Sequence, residues 1–151
     1  MRTHCYWSLV CLAVLLVCGG CGGTQSASHE TETSNLKPLA IYYGRYIAQH
    51  RGQPPANEAE FKAFLSKIPA ADLQAFNVAS ADDLLVSNRD GQPYVVIYGP
   101  PTGPAEGPGK FPVIAYEKTG VGGKRYVASS IGGVEEVDEA RFAQLVPNAS
   151  P

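Results

Sequence analysis

The apolar positions between residues 36 and 68 recur every three or four residues, which is the spacing of one face of an α-helix. A first helix is predicted after the capping residues Ser34 or Asn35, and it ends at a glycine. A second helix begins at Asn57, which stands three residues before Glu60 as in a capping box. The positions on the two apolar faces are Leu36, Leu39, Tyr43, Tyr46, Ile47, His50, Phe61, Phe64, Leu65 and Ile68.

The second half of the chain loses this helical spacing. Residues 71–87 predict one or two helical turns, and from residue 84 onward β-branched and aromatic residues alternate with glycine and proline, which indicates short strands and turns. A closing helix is predicted after Asp138. The strands are predicted at residues 94–98, 111–117, 124–130 and 132–137. The pattern therefore predicts an α+β fold, with N-terminal helices packed on a small antiparallel sheet of three to five short strands and a closing C-terminal helix.

The first 20 residues have the layout of an export signal. Arg2 precedes an apolar run at residues 5–18, which is shorter than the roughly 20 residues that a membrane-spanning helix needs. The end of the run resembles a bacterial lipoprotein signal, because Gly20 precedes Cys21. That resemblance implies lipidation of Cys21, several acyl chains and firm membrane anchoring. Ordinary signal-peptidase cleavage at residues 26–28 is the alternative.

These observations divide the chain into segments. Residues 1–20 are the predicted signal peptide, residues 21–35 a lipid-anchored flexible tether, residues 36–146 a single domain and residues 147–151 a tail. The predicted location is the cell envelope, with the domain on the periplasmic or outer side of a membrane.

Composition narrows the chemistry of the exported part. All cysteines lie in or at the signal, so the domain has no thiol for a disulfide, a metal or catalysis. Removal of the signal takes away Arg2 and no acid, which leaves 11 basic and 14 acidic side chains. This acidic balance argues against a nucleic-acid partner.

No cofactor or metal site is predicted. Asn88, Asp90 and Gly91 match part of a calcium-binding loop, but Val86 and Ile97 stand where that loop needs its first and last ligands, so a turn is favoured. A looser calcium site that uses Asp82, Asp83 or Asp90 stays open. Residues 120–124 are predicted to form a hairpin turn because a phosphate-binding loop would require Ser or Thr after the lysine.

Two segments carry the predicted interaction residues. The long loop at residues 99–110 is rich in glycine and proline, so it cannot pair within a sheet, and it is expected to contact a partner rather than to catalyse. Its reactive side chains are Thr102, Glu106 and Lys110. Tyr43 and Tyr46 of the aromatic stripe are the other possible contacts, although packing is the commoner use of such a stripe. His29 in the tether and His50 at the helix end are interpreted as solvated or structural.

Three sequence segments together carry a family resemblance. They are "YYGRYIAQHRGQPP", "RDGQPYVVIYG" and "GGKRYVASSIGGVEEVDEARFAQL", and they resemble the soluble part of prepilin-like proteins of planctomycete bacteria, which are related to type II secretion pseudopilins. The resemblance covers most of residues 36–146. This chain has Ile131-Gly132-Gly133 where those relatives often have Asp-Gly-His, and a lipoprotein-like signal in place of their long hydrophobic helix.

The leading functional hypothesis is a non-enzymatic, membrane-anchored envelope lipoprotein that binds another envelope protein, in a role related to a pseudopilus or to secretion. A binding module for a small ligand or an envelope polymer is the alternative. A hydrolase is the third hypothesis, and it would depend on a set of carboxylates: Asp82, Asp83, Asp90, Glu135 and Glu136.

Overall fold

A computed structural model describes residues 34–149. The predicted signal peptide, the lipidation site at Cys21 and all but the end of the tether lie outside the described residues, as does His29. The predictions made for those segments therefore stay predictions.

Three helices form the first half of the domain. They are α1 (Leu36–Gln49), α2 (Glu58–Leu65) and the short α3 (Ala70–Gln74), and a 3-10 turn follows at Asp83–Leu85. Of the predicted capping box, the N-cap is confirmed at the start of α2, where Asn57 Oδ1 accepts the backbone N–H of Glu60 at 3.0 Å; the Glu60 carboxylate accepts the N–H of Ala56 and not that of Asn57.

Four strands form one antiparallel sheet in chain order. They are β1 (Tyr94–Val96), β2 (Val113–Glu117), β3 (Lys124–Ser129) and β4 (Val134–Asp138), so each strand pairs with its neighbour in the chain. The helix α4 (Glu139–Leu145) follows directly, and the Asp138 side chain accepts the backbone N–H of Arg141 at 2.8 Å. The predicted α+β fold, with four strands and a closing helix, is confirmed.

The sheet has an apolar core on each face. Tyr126 and Ala128 of β3 face the core beneath α1, α2 and α3, whereas Val127 between them faces the core beneath α4. This alternation follows from the two-residue period of a strand. The helix α1 lies so close to the β3–β4 turn that an ideal Cβ at Gly44 would be 2.1 Å from the carbonyl oxygen of Ser130.

Two predicted turns are also confirmed. Asp90 Oδ1 accepts the N–H of Gln92 at 2.9 Å, and Gly91 has φ +71°, as a tight Asp-Gly turn requires. The β2–β3 hairpin closes through Gly122 and Gly123, which have φ +63° and +75°. Positive φ at both central residues is the type I′ geometry that matches the twist of paired strands.

Candidate functional site

A cleft of about 550 Å³ opens between α1, α2 and α3. Its walls come from the successive turns of α1 that carry Tyr42, Tyr46 and Gln49, and from the facing side of α2 with Phe64. These residues share a wall because positions three or four apart lie on one side of a helix. The volume lies within the range of small-molecule sites, and the floor is largely aromatic and aliphatic.

A hydrogen-bonded pair joins the two helices at one end of this cleft. The Tyr46 hydroxyl donates to Glu60 Oε1, and Glu60 Oε2 accepts the backbone N–H of Ala56 at 2.9 Å. These bonds hold the pKa of Glu60 below its ordinary value, and the bond to Glu60 together with burial raises the pKa of Tyr46 to about 12. At neutral pH the pair is therefore an ionised carboxylate that accepts from a neutral phenol.

His50 closes the same end of the cleft. Its ring stacks on Tyr46 with centroids 3.8 Å apart and planes 7° from parallel, and His50 Nδ1 lies 2.8 Å from the Tyr46 carbonyl oxygen. The imidazole is held by the last turn of α1, as the structural interpretation of this histidine expects. The Tyr46–Glu60 hydrogen bond thus joins α1 to α2, and the His50 ring stacks on Tyr46 beside it.

The other end of the cleft carries charge. Arg45 projects from α1 and Lys67 from the turn after α2, and neither forms an ion pair within residues 34–149. The Arg45 guanidinium lies 5.0 Å from the centroid of the Tyr42 ring. Asp72 of α3 lines the cleft on the same side. The cleft therefore combines apolar side chains with two cations, Arg45 and Lys67, and two carboxylates, Glu60 and Asp72.

One polar atom in this cleft is buried without a partner. Tyr42 is 1% exposed, and its hydroxyl forms no hydrogen bond of standard geometry with a described residue, although the Arg45 side chain is close enough to act on it as a donor. Burial raises the pKa of this hydroxyl; Arg45 opposes the rise through its charge and as a hydrogen-bond donor, and the charge of Asp72 strengthens it. A buried hydroxyl without a partner is unusual in native proteins, where nearly all such groups are hydrogen-bonded.

The structure separates the residues for which an interaction role was predicted. Tyr43 has no exposed surface and its hydroxyl donates to the Ile97 carbonyl oxygen at 2.7 Å, so it is a core residue and not part of a ligand wall. Tyr46 is 2% exposed and reaches the cleft only at its edge. Of the predicted tyrosine stripe, Tyr43 therefore belongs to the core, whereas Tyr46 lines the cleft together with Tyr42, which the sequence did not single out.

The loop at residues 99–110 is attached to α4. Arg141 Nη2 donates to the Glu106 carbonyl oxygen at 2.7 Å, and its guanidinium lies 3.6 Å from the Glu106 carboxylate. Thr102 and Lys110 are exposed. Because this loop packs on α4 and the tyrosines belong to the core beneath α1, the five residues do not form one site.

An exposed apolar patch lies where this loop enters β2. Phe111 is 43% exposed and Ile131 is 55% exposed, and both side chains flank Gly109. Lys110, with φ +64°, stands beside them. We call Lys110, Phe111 and Ile131 the Phe111 patch. The sequence does not predict this patch, because the pattern places Phe111 in a strand and Ile131 in a turn 20 residues later.

Three of the five carboxylates of the hydrolase hypothesis are engaged in local contacts. Glu136 pairs with Arg89 at 2.8 Å, Asp90 Oδ2 accepts the Gly120 N–H at 3.0 Å, and Asp83 accepts the Ser80 hydroxyl. Within residues 34–149, no three His, Cys, Asp or Glu side chains come together as metal ligands.

The fully buried carboxylate is Glu117 of β2, which sequence reasoning did not identify. It accepts the Ser87 hydroxyl and the Tyr126 N–H, each at 2.9 Å, and lies 3.9 Å from Arg89 Nε. Arg89 in turn lies over the Tyr126 ring, 4.1 Å from its centroid. With all these partners, Glu117 ties the turn at residues 87–92 to the sheet and has a structural role.

Comparisons with known proteins add no relative: no family model, curated protein or solved structure matches the chain. None of the helices described between residues 34 and 149 has the length and apolarity needed to span a bilayer.

Proposed function

We propose that this chain is a non-enzymatic envelope lipoprotein, anchored through Cys21, whose domain binds another envelope protein. The Phe111 patch is the observation that carries the proposal. The resemblance to prepilin-like proteins suggests that the partner belongs to a pseudopilus-like or secretion assembly.

The patch supports a protein partner because its apolar groups are exposed and both flank Gly109. Phe111 follows the Pro108–Lys110 turn, and Gly107 packs so tightly that an added Cβ would lie 2.7 Å from the Phe111 carbonyl oxygen. Contiguous apolar side chains on a rigid surface, rimmed by a charge such as Lys110, are typical of protein interaction sites.

Photocrosslinking in intact cells tests this proposal. A benzophenone amino acid replaces Phe111 in the full-length chain, and the matched control carries it at Gln74, which is exposed on α3. We expect a discrete crosslinked protein from position 111, none from position 74, and loss of the product in the Cys21→Ser variant. Equal products from both positions, or none from position 111, would contradict a partner at the patch.

The alternative of a small-ligand module is supported by a different observation, the cleft between α1, α2 and α3. The hydrolase hypothesis has less support, since the carboxylates that it needs are spread over separate turns and strands.

A further inference from the structure

We infer that the partner of the Phe111 patch is a protein whose contact surface presents an apolar side chain flanked by carboxylates. This inference rests on the proposed function, because it names the chemistry of the partner that the patch would bind. Two features of the structure support it: the apolar side chains that meet at the patch and the charges around them.

The apolar surface of the patch continues onto α1. An ideal Cβ at Gly132 would lie 2.8 Å from Ile41 Cγ1, so the half-buried Ile41 side chain packs against the β3–β4 turn beside Ile131. A Cβ at Gly109 would meet Ile131 Cδ1 and would lie 3.8 Å from Phe111 Cδ2. Gly109 and Gly132 have φ +71° and +82°, a conformation that only glycine adopts readily. Without side chains at these two positions, three apolar residues from separate segments form one surface that a partner's apolar side chain can cover.

The segments that form this surface are basic, although the chain as a whole is slightly acidic. Residues 36–50, 107–112 and 129–134 contain Lys37, Arg45 and Lys110 and no Asp or Glu, whereas the whole chain has 14 acidic and 12 basic side chains. Lys110 is exposed and forms no ion pair within residues 34–149. Arg45 is exposed one helical turn beyond Ile41. Positive charge beside an apolar surface favours a partner that carries negative charge.

The acidic residues on neighbouring elements leave Lys110 as the principal cation of this surface. The Glu106 carboxylate lies 3.6 Å from the guanidinium of Arg141 on α4. Asp72 lines the cleft together with Arg45 and offsets part of its charge, although the two form no ion pair. A carboxylate supplied by a partner would therefore find its strongest attraction at Lys110, with a smaller contribution from Arg45.

The position of the tether favours a protein over the bilayer as the partner. Ser34, at the end of the tether, has its Oγ 3.3 Å from the hydroxyl of Tyr94, and Tyr94 pairs with Glu117 at the end of β2. Phe111 precedes the opposite end of β2, so the length of that strand, roughly 13 Å, separates the patch from the place where the tether enters. The domain thus presents the patch away from its point of attachment.

A second copy of the chain fits this surface less well than a different protein does. Contact between two such patches would bring Lys110 of each copy towards the basic surface of the other, and like charges at an interface repel. The apolar surface formed by Ile41, Phe111 and Ile131 is also small for a stable symmetric dimer. The partner is therefore a different protein, with acidic groups around its apolar contact.

The test combines the photocrosslink at position 111 with charge variants of the full-length chain in intact cells. Lys110→Glu should lower the yield of crosslinked protein about tenfold, whereas Lys110→Arg keeps the charge and should leave the yield within about twofold of the parent. Arg45→Glu should lower the yield about threefold, since Asp72 offsets part of the Arg45 charge. The matched control is Lys118→Glu, at an exposed position of the β2–β3 hairpin, which should leave the yield unchanged.

The outcomes separate this inference from the proposed function. A discrete protein product that Lys110→Glu and Arg45→Glu leave unchanged would overturn the acidic partner and leave the proposed protein contact in place. A loss in Lys110→Arg as large as in Lys110→Glu would also overturn it, because shape and not charge would then control binding. No product from the parent would overturn both proposals.

Mass spectrometry of the product identifies what lies against the patch. We expect a peptide of a different protein, with Asp or Glu beside the residue to which the benzophenone is attached. A lipid adduct, a crosslinked pair of copies of this chain, or a partner peptide without acidic residues would overturn the inference.

Discussion

Gly44→Ala is the substitution for which helix propensity and tertiary contact predict opposite results. Gly44 lies within α1, where alanine is ordinarily favoured over glycine by about 1 kcal/mol. An ideal Cβ at this position would lie 2.1 Å from the Ser130 carbonyl oxygen, whereas ordinary contact begins at 3.4 Å. The helix and the β3–β4 turn would have to separate by roughly 1 Å to accept the methyl group.

The steric contact should cost more than the gain in helix propensity, because the atom that an added Cβ would meet is a backbone oxygen. A flexible side chain would rotate away, but the Ser130 carbonyl is held by the turn between two paired strands. Overpacking of this kind costs about 3 kcal/mol, the upper end of the usual range. After the gain in helix propensity, we expect Gly44→Ala to lower the free energy of unfolding by about 2 kcal/mol. For a domain of this size, the melting temperature should fall by roughly 8 °C.

Urea denaturation of the full-length chain, followed by far-ultraviolet circular dichroism, measures this loss. The matched control is Ala48→Gly, which removes a methyl group from an exposed position of the same helix and should cost about 1 kcal/mol through propensity alone. A Gly44→Ala variant that is as stable as the parent protein, or more stable, would refute the argument that close backbone approach selects glycine here.

Three further predictions concern stability. Glu117→Ala should lower the free energy of unfolding in urea by roughly 3 kcal/mol, because it leaves buried donors unpaired. Glu117→Gln should lower it less, since one acceptor remains; equal losses in the two variants would contradict this reasoning. The pKa values of Tyr46, Tyr94 and Tyr98 are raised from 10.0 to about 12, so their contribution to stability is complete below pH 10 and is lost as the pH rises towards 12. Tyrosinate absorbance should therefore appear together with unfolding, and full ionisation of the folded protein near pH 10 would refute it. The pKa of Glu60 is lowered from 4.5, so its contribution to the free energy of unfolding is complete above pH 4.5 and is lost as the pH falls below that value. Glu60→Gln and Tyr46→Phe should each make stability depend less on acid pH, and the double variant should show no further change.

The sequence predicts the features whose causes are local in the chain. Asn57 and Asp138 cap helices through backbone N–H groups three residues away, and Gly122 and Gly123 close a hairpin through their own positive φ. The apolar periods of three to four and of two residues predict helices and strands for the same reason, since each depends on neighbours within one or two turns. These local signals were sufficient for the α+β class and for the order of its elements.

The tertiary structure decided everything that depends on residues far apart in sequence. Glu117 resembles an ordinary strand-end carboxylate until Ser87, 30 residues earlier, and Arg89 enclose it. Phe111 becomes part of an exposed patch only because the β3–β4 turn places Ile131 beside Gly109.

The cleft between α1, α2 and α3 likewise depends on how elements far apart in sequence pack together. Helical spacing shows that Tyr42, Tyr43 and Tyr46 lie on neighbouring parts of α1, but the pattern cannot say which of them is enclosed by the sheet and which faces α2 and α3. The crossing of the helices decides this: it buries Tyr43 against the Ile97 carbonyl oxygen and places Tyr42 beside Arg45 at the cleft. Local sequence therefore determined the elements, and the packing between them determined where a ligand or a partner can bind, because a binding surface is made of side chains that only the folded chain brings together.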